Sequence, residues 1–142
     1  MGVPARSTEL SVGDQLPELP ILFDLEFIQA YENVVPHYDN IHNNYEVAAQ
    51  AGFNQPFASG TMLIAVATER FLPEYFGGDW PEGGSLGYTF LRPIAPGDKV
   101  VFSGEVVAKL PHGDKTKVVL SLGATIEDGP KVAVGSASAI VS

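Results

Sequence analysis

The chain has 142 residues and a formal net charge of −9, with 17 Asp and Glu against eight Lys and Arg; 45% of it is hydrophobic, 18% is charged, and none is Cys. That length and composition suffice for one core and exclude a disordered chain. The acidic balance excludes general binding to nucleic-acid phosphates, no apolar run reaches the roughly eighteen residues of a membrane helix, and the lack of Cys removes disulfides, thiolate nucleophiles and Cys-ligated metals.

Residues 1–142 are expected to form a single domain, with 1–9 as a tail. The N-terminal MGVPARSTEL lacks the apolar core of a secretory signal, which together with the absence of Cys points to the cytoplasm. Val12-Gly13-Asp14, Pro17 and Pro20 make a turn-rich lead-in, and Ile21-Leu22-Phe23 reads as a first strand. Asp24 is placed to cap a helix from Leu25 to about Asn33, with Phe27, Ile28 and Tyr31 on one face. Pro36 stops it.

A polar cluster follows: His37, Asp39, Asn40, His42, Asn43 and Asn44. Asn44 is placed to cap a short helix from Tyr45 to Ala51, which Gly52 closes. After the breaker-rich Gly52-Phe53-Asn54-Gln55-Pro56, Ser59 and Gly60 open an apolar run without Gly or Pro until Pro73. A buried helix is expected from about Gly60 to Leu72. Pro73 to Gly84, rich in Gly and Pro, reads as a surface loop holding Trp80.

The last third reads as strands. Ser85–Arg92 alternates, with Leu86, Tyr88 and Phe90 on one face. Pro93 to Gly97 is a turn, and Val100–Val107 is apolar on both faces. Lys115–Ile126 alternates cleanly, with Thr116, Val118, Leu120, Leu122, Ala124 and Ile126 inward. His112 falls in the Pro111-His112-Gly113-Asp114 hairpin turn, and Asp128-Gly129 makes another turn before the small-residue strand Lys131–Val141. A long helix ahead of antiparallel strands makes an α+β chain whose sheet wraps a helix.

The polar cluster and the helix start carry the candidate chemistry. Imidazole with carboxylate is the minimum set for proton transfer near neutral pH. A Gly at a helix start offers backbone N–H groups to an oxyanion. This stretch resembles the MaoC-like, R-specific enoyl-CoA hydratase/dehydratase family, whose signature runs Asp-x-Asn-Pro-Ile/Leu-His-x-Asp, then Ala, Gly-Phe, Pro and His-Gly-Met. Ile41-His42, Ala49, Gly52-Phe53, Pro56 and Gly60 match without a gap. The family's Asp, five residues before its His, falls on His37. Its Asn falls on Asp39, its Pro on Asn40, its later Asp on Asn44, and the His before the Gly on Ser59.

The resemblance implies a hot-dog fold, an antiparallel sheet wrapped around a long central helix. It also implies addition or removal of water at a 2-enoyl/3-hydroxyacyl thioester of CoA or an acyl carrier protein. His42 would work at C2, with Asp39 or His37 as the partner that takes the water's proton. Gly60 would be the oxyanion donor, Ser59 the helix cap, and Thr68, on the face of Thr61, Ile64 and Leu72, a contact to substrate. The chemistry requires no cofactor, and His37 to His42 lacks a third metal ligand in register. A CoA site would need some of Arg70, Arg92, Lys99, Lys109, Lys115, Lys117 and Lys131 to gather. Expected partners are the thioester and a second hot-dog chain, identical or not, with no nucleic acid and no membrane. The broken Asp position also admits a non-catalytic subunit paired with a catalytic chain. A thioesterase would rest on Glu69, the one acid inside the expected helix.

Overall fold

The computed structural model describes residues 9–34 and 38–142. In order, these form β1 (Leu19–Phe23), α1 (Leu25–Glu32), α2 (Tyr45–Gln50), α3 (Gly60–Val66), a π-helical turn (Ala67–Phe71), α4 (Pro73–Phe76), α5 (Asp79–Gly83), β2 (Ser85–Phe90), β3 (Asp98–His112), β4 (Lys115–Ile126) and β5 (Lys131–Val141). The expected tail falls mostly outside the described residues. Leu10 is buried, and its carbonyl accepts a hydrogen bond from Lys109 Nζ at 2.8 Å.

The strands make one antiparallel sheet in the order β1-β3-β4-β5-β2. The alternation read in β4 holds: Val118, Leu120, Leu122 and Ala124 are buried on one face. Val100, Phe102 and Val106 of β3 join the same core. Beyond Val106 the β3–β4 register slips between Val106 and Ala108. Strand β3 then leaves the core, with Val107 and Leu110 exposed. His112 lies at the exposed hairpin end, as expected. On β2, Leu86 and Tyr88 are half-buried and Phe90 is 49% exposed. The Tyr88 hydroxyl is buried with no hydrogen-bond partner, and burial pushes its pKa upward.

Local capping sets the first two helices. The Asp24 carboxylate accepts from Phe27 N–H at 2.8 Å, and Asn44 Oδ1 accepts from Val47 N–H at 3.0 Å. Gly52 follows α2 with φ +92°, a left-handed position that L side chains rarely take.

The regular helix expected from Gly60 to Leu72 is not what forms. Seven α residues give way to a five-residue π turn, in which Leu72 N–H donates to Ala67 O at 2.9 Å. The cause is written in the buried pairs: Met62-Leu63, Val66-Ala67, Phe71-Leu72 and Tyr75-Phe76. They step by four, five and four residues. An α-helix returns to one face after three or four residues, whereas a π turn absorbs a fifth. The extra residue keeps Phe71 on the sheet, its ring 6.1 Å from Phe102.

The stretch from Pro73 to Gly84 is also no surface loop. It forms α4 and α5, which bury Tyr75, Phe76 and Trp80. Phe76 and Trp80 stack at 6.1 Å, and Tyr75 donates its hydroxyl to Pro17 O at 2.7 Å. Three large apolar residues outweighed the Gly and Pro content that suggested a loop.

Candidate active site

Two asparagines, Asn40 and Asn43, build the loop that carries His42. Asn40 Oδ1 accepts from His42 N–H, and Asn43 Oδ1 accepts from Asn40 N–H, both at 2.8 Å. The amides of Asn40 and Asn43 donate to Tyr38 O at 2.9 and 3.0 Å, and Asn43 also donates to Glu32 O at 3.2 Å. Asx-type bonds of this kind fix a backbone that has no ladder to lean on.

The His42 ring is held from one side. Its Nδ1 lies 2.8 Å from Phe57 O, and the Phe57 ring meets it edge-on with centroids 4.8 Å apart. A carbonyl oxygen only accepts, so Nδ1 carries a proton and the neutral ring keeps its lone pair on Nε2. His42 lines a cavity of about 630 Å³ with Glu32, Tyr38, Asn40, Ile41, Ser59, Gly60, Thr61 and Phe90.

The start of α3 lines the same cavity. Ser59 caps it, its Oγ accepting from Met62 N–H at 3.1 Å and lying 2.9 Å from Thr61 Oγ1. Ser59 N–H donates to the Glu32 carboxylate at 2.8 Å. At Gly60 an added Cβ would come within 2.6 Å of the Phe90 ring. The missing side chain therefore lets that ring lie over the helix start. Beyond Phe90 is a second cavity of about 310 Å³, which shares Ser59, Gly60 and Phe90. It is otherwise apolar, lined by Phe53, Phe57, Leu63, Leu91 and Ile94, with Arg92 at its wall.

No family model matches the sequence. The chain is 32% identical over 104 residues to the mitochondrial 3-hydroxyacyl-(acyl-carrier-protein) dehydratase of Arabidopsis thaliana. That match covers 73% of this chain but 60% of the relative's length. Among solved structures, the MaoC-like dehydratase from Rhodospirillum rubrum superposes with a TM-score of 0.78 at 22% identity, over 94% of each chain. The ChsH1-ChsH2 complex from Mycobacterium tuberculosis gives 0.75 at 21%, over 93% of this chain and 98% of that one. This is a MaoC-like hot-dog fold.

Within this MaoC-like fold the expected site residues divide. His42, Ser59 and Gly60 line one cavity. Asp39 is exposed and is not among the residues lining either cavity. Thr68 is half-buried in the π turn and lines neither. Glu69 is exposed. His37 lies outside the described residues. Of the cations, Arg92 reaches a cavity wall, and Lys99 pairs with Glu127 at 3.4 Å.

Sequence reasoning missed Glu32, a carboxylate 1% exposed in the wall of the His42 cavity. One signal was available. Glu32 stands four residues after Ile28, so it lies on the buried stripe of α1 rather than on its solvated face.

Proposed function

We propose that the chain is an acyl-thioester hydratase or dehydratase, adding water to a 2-enoyl thioester or removing it from the 3-hydroxyacyl form. The observation that carries this reading is that His42 and Gly60 line a single cavity, with the imidazole oriented by Phe57 O. His42 Nε2 handles the proton at C2. The Gly60 amide stands where charge builds on the thioester oxygen during attack at C3, where a fixed donor helps the transition state most. The adjoining apolar cavity suits the acyl chain, and Arg92 in its wall suits an anionic carrier, CoA or an acyl carrier protein. The named activity of the plant relative supports this reaction class.

The test is loss of enoyl-thioester absorbance on mixing the purified protein with crotonyl-CoA and longer analogues. Turnover is expected. If none of these thioesters is consumed, and none by the protein assembled with a second hot-dog chain, the proposal fails.

A second reading is a non-catalytic partner in a two-chain assembly. It is favoured by His37 in place of the signature Asp and by the similarity to a chain of a two-component complex. The sheet ends in β1 and β2, each hydrogen-bonded to one neighbour, which leaves edges for a second copy or a different hot-dog chain. Co-expression with such a chain separates the readings: activity that survives His42→Ala favours the partner role. Among the described residues no helix is long and apolar enough to cross a membrane. A cytoplasmic setting rests on the Cys-free composition.

A further inference from the structure

We infer that Glu32 supplies the carboxylate of this site, taking the proton from the water that attacks C3 while His42 serves C2. The inference rests on the hydratase reading and goes beyond it by assigning the partner of His42 to a residue outside the signature.

Burying a carboxylate costs several kcal/mol unless it is paired. Glu32 is 1% exposed, and its carboxylate accepts from the neutral N–H of Ser59. Among the described residues the ion pair is Lys99–Glu127, and no cation pairs with Glu32. An apolar side chain at this position, four residues from fully buried Ile28, would pack without that cost. Violations of this kind are expected where a protein works rather than where it merely stands.

The placement supports the role. Glu32 is tied to both halves of the site: its carbonyl accepts from Asn43 in the His42 loop, and its carboxylate accepts from Ser59, next to Gly60. It is thereby fixed between the imidazole loop and the oxyanion donor, in the wall of the cavity both share. Among the described residues, the titratable groups lining that cavity with it are His42 and Tyr38. The signature places no carboxylate at position 37 in this chain, and Asp39 faces solvent.

The step balances as follows. Water gives one proton to Glu32 as its oxygen bonds C3. The C2–C3 π pair moves toward the thioester carbonyl, whose oxygen takes up charge opposite Gly60. Protonated His42 delivers a proton to C2 and the carbonyl re-forms. Transfer of the proton from Glu32 to the imidazole resets both groups. Dehydration runs the same path backward, with neutral Nε2 removing the C2 proton and the Glu32 acid protonating the leaving hydroxyl.

Glu32→Gln is the discriminating variant, because it keeps the volume and an acceptor for Ser59 N–H while removing the base. With crotonyl-CoA, kcat is expected to fall about 10²–10⁴-fold, the usual weight of a positioned acid or base. KM should stay within a few-fold and the Tm near that of the parent. A Gln variant with undiminished kcat would overturn the assignment and make Glu32 a helix-start brace only. Should that variant fail to fold, Glu32→Asp keeps the charge and withdraws it by one methylene. A fall in kcat of at least about tenfold is expected there, and unchanged kcat would overturn the assignment. Parallel His37→Ala and Asp39→Asn variants test the two candidates of the signature stretch: loss of activity in either one with Glu32→Gln active overturns the assignment and moves the role there. An active parent with an unaffected Gln variant removes Glu32 and leaves the hydratase reading intact. An inactive parent removes both.

Discussion

The sheet and the 38–44 loop are held by different physics. Strands β3 to β5 are held by many contacts that resemble one another: alternating Val, Leu, Ala and Phe side chains buried on one face, none with a directional demand. The loop is held by single hydrogen bonds, each with one donor and one acceptor: Asn40 to His42, Asn43 to Asn40, Tyr38 and Glu32, and Phe57 to the imidazole. A packed sheet shares out a loss among neighbours. A loop tied by individual bonds turns a loss into misplacement of the one ring it exists to place. Substitutions in the sheet should therefore read as stability, and substitutions in the loop as activity.

The largest effect is expected at His42. His42→Ala should lower kcat by about 10²–10⁴-fold, with thermal melting showing a native fold. Equal losses of stability and turnover would break the contrast. Its mirror image is Phe102→Ala in the sheet, which contacts Phe23 and Phe71. That change should cost about 3–5 kcal/mol in denaturant unfolding, with kcat of the folded fraction near parental. Asn43→Ala tests the middle ground, since it removes three hydrogen bonds from the loop. A stability loss of about 1–3 kcal/mol is expected, together with a fall in kcat larger than a sheet substitution of equal cost produces.

The smallest effect is expected at Tyr88. Its hydroxyl is buried without a partner, so Tyr88→Phe should be neutral or stabilising below pH 10. Because burial raises the phenol's pKa, the folded state keeps a proton that the unfolded chain releases near pH 10. Stability is thus full below about pH 10 and falls above it, by up to roughly 1.4 kcal/mol per pH unit. Tyr88→Phe should flatten that alkaline decline in a pH series of melts.

How far each region could be read from sequence follows the same division. The strands were legible because period-two alternation is both the cause and the mark of a half-buried sheet. The caps Asp24 and Asn44 were legible because a cap bonds within three residues of itself. His42 and Gly60 were found through spacing in a signature. Glu32 escaped although the helix period put it on the buried stripe of α1, because its partner, the Ser59 N–H 27 residues later, is one that no local pattern encodes. Trp80 escaped for a related reason: Gly and Pro set its local appearance, while its environment comes from β5 and Phe76.

The π turn has a consequence for how this chain tolerates changes of length. Removing one residue between Ala67 and Phe71 would leave a four-residue step that a regular α-helix matches, whereas winding all five residues as a uniform α screw would rotate all that follows by about 100°. Tyr75 would swing away from Pro17 and Trp80 off the sheet, while Ser59 and Gly60, upstream, would stay where they are. The turn works as a coupling between two shafts whose phases differ. One end is timed to the cavity, the other to the core, and the five residues between them let each keep its own angle.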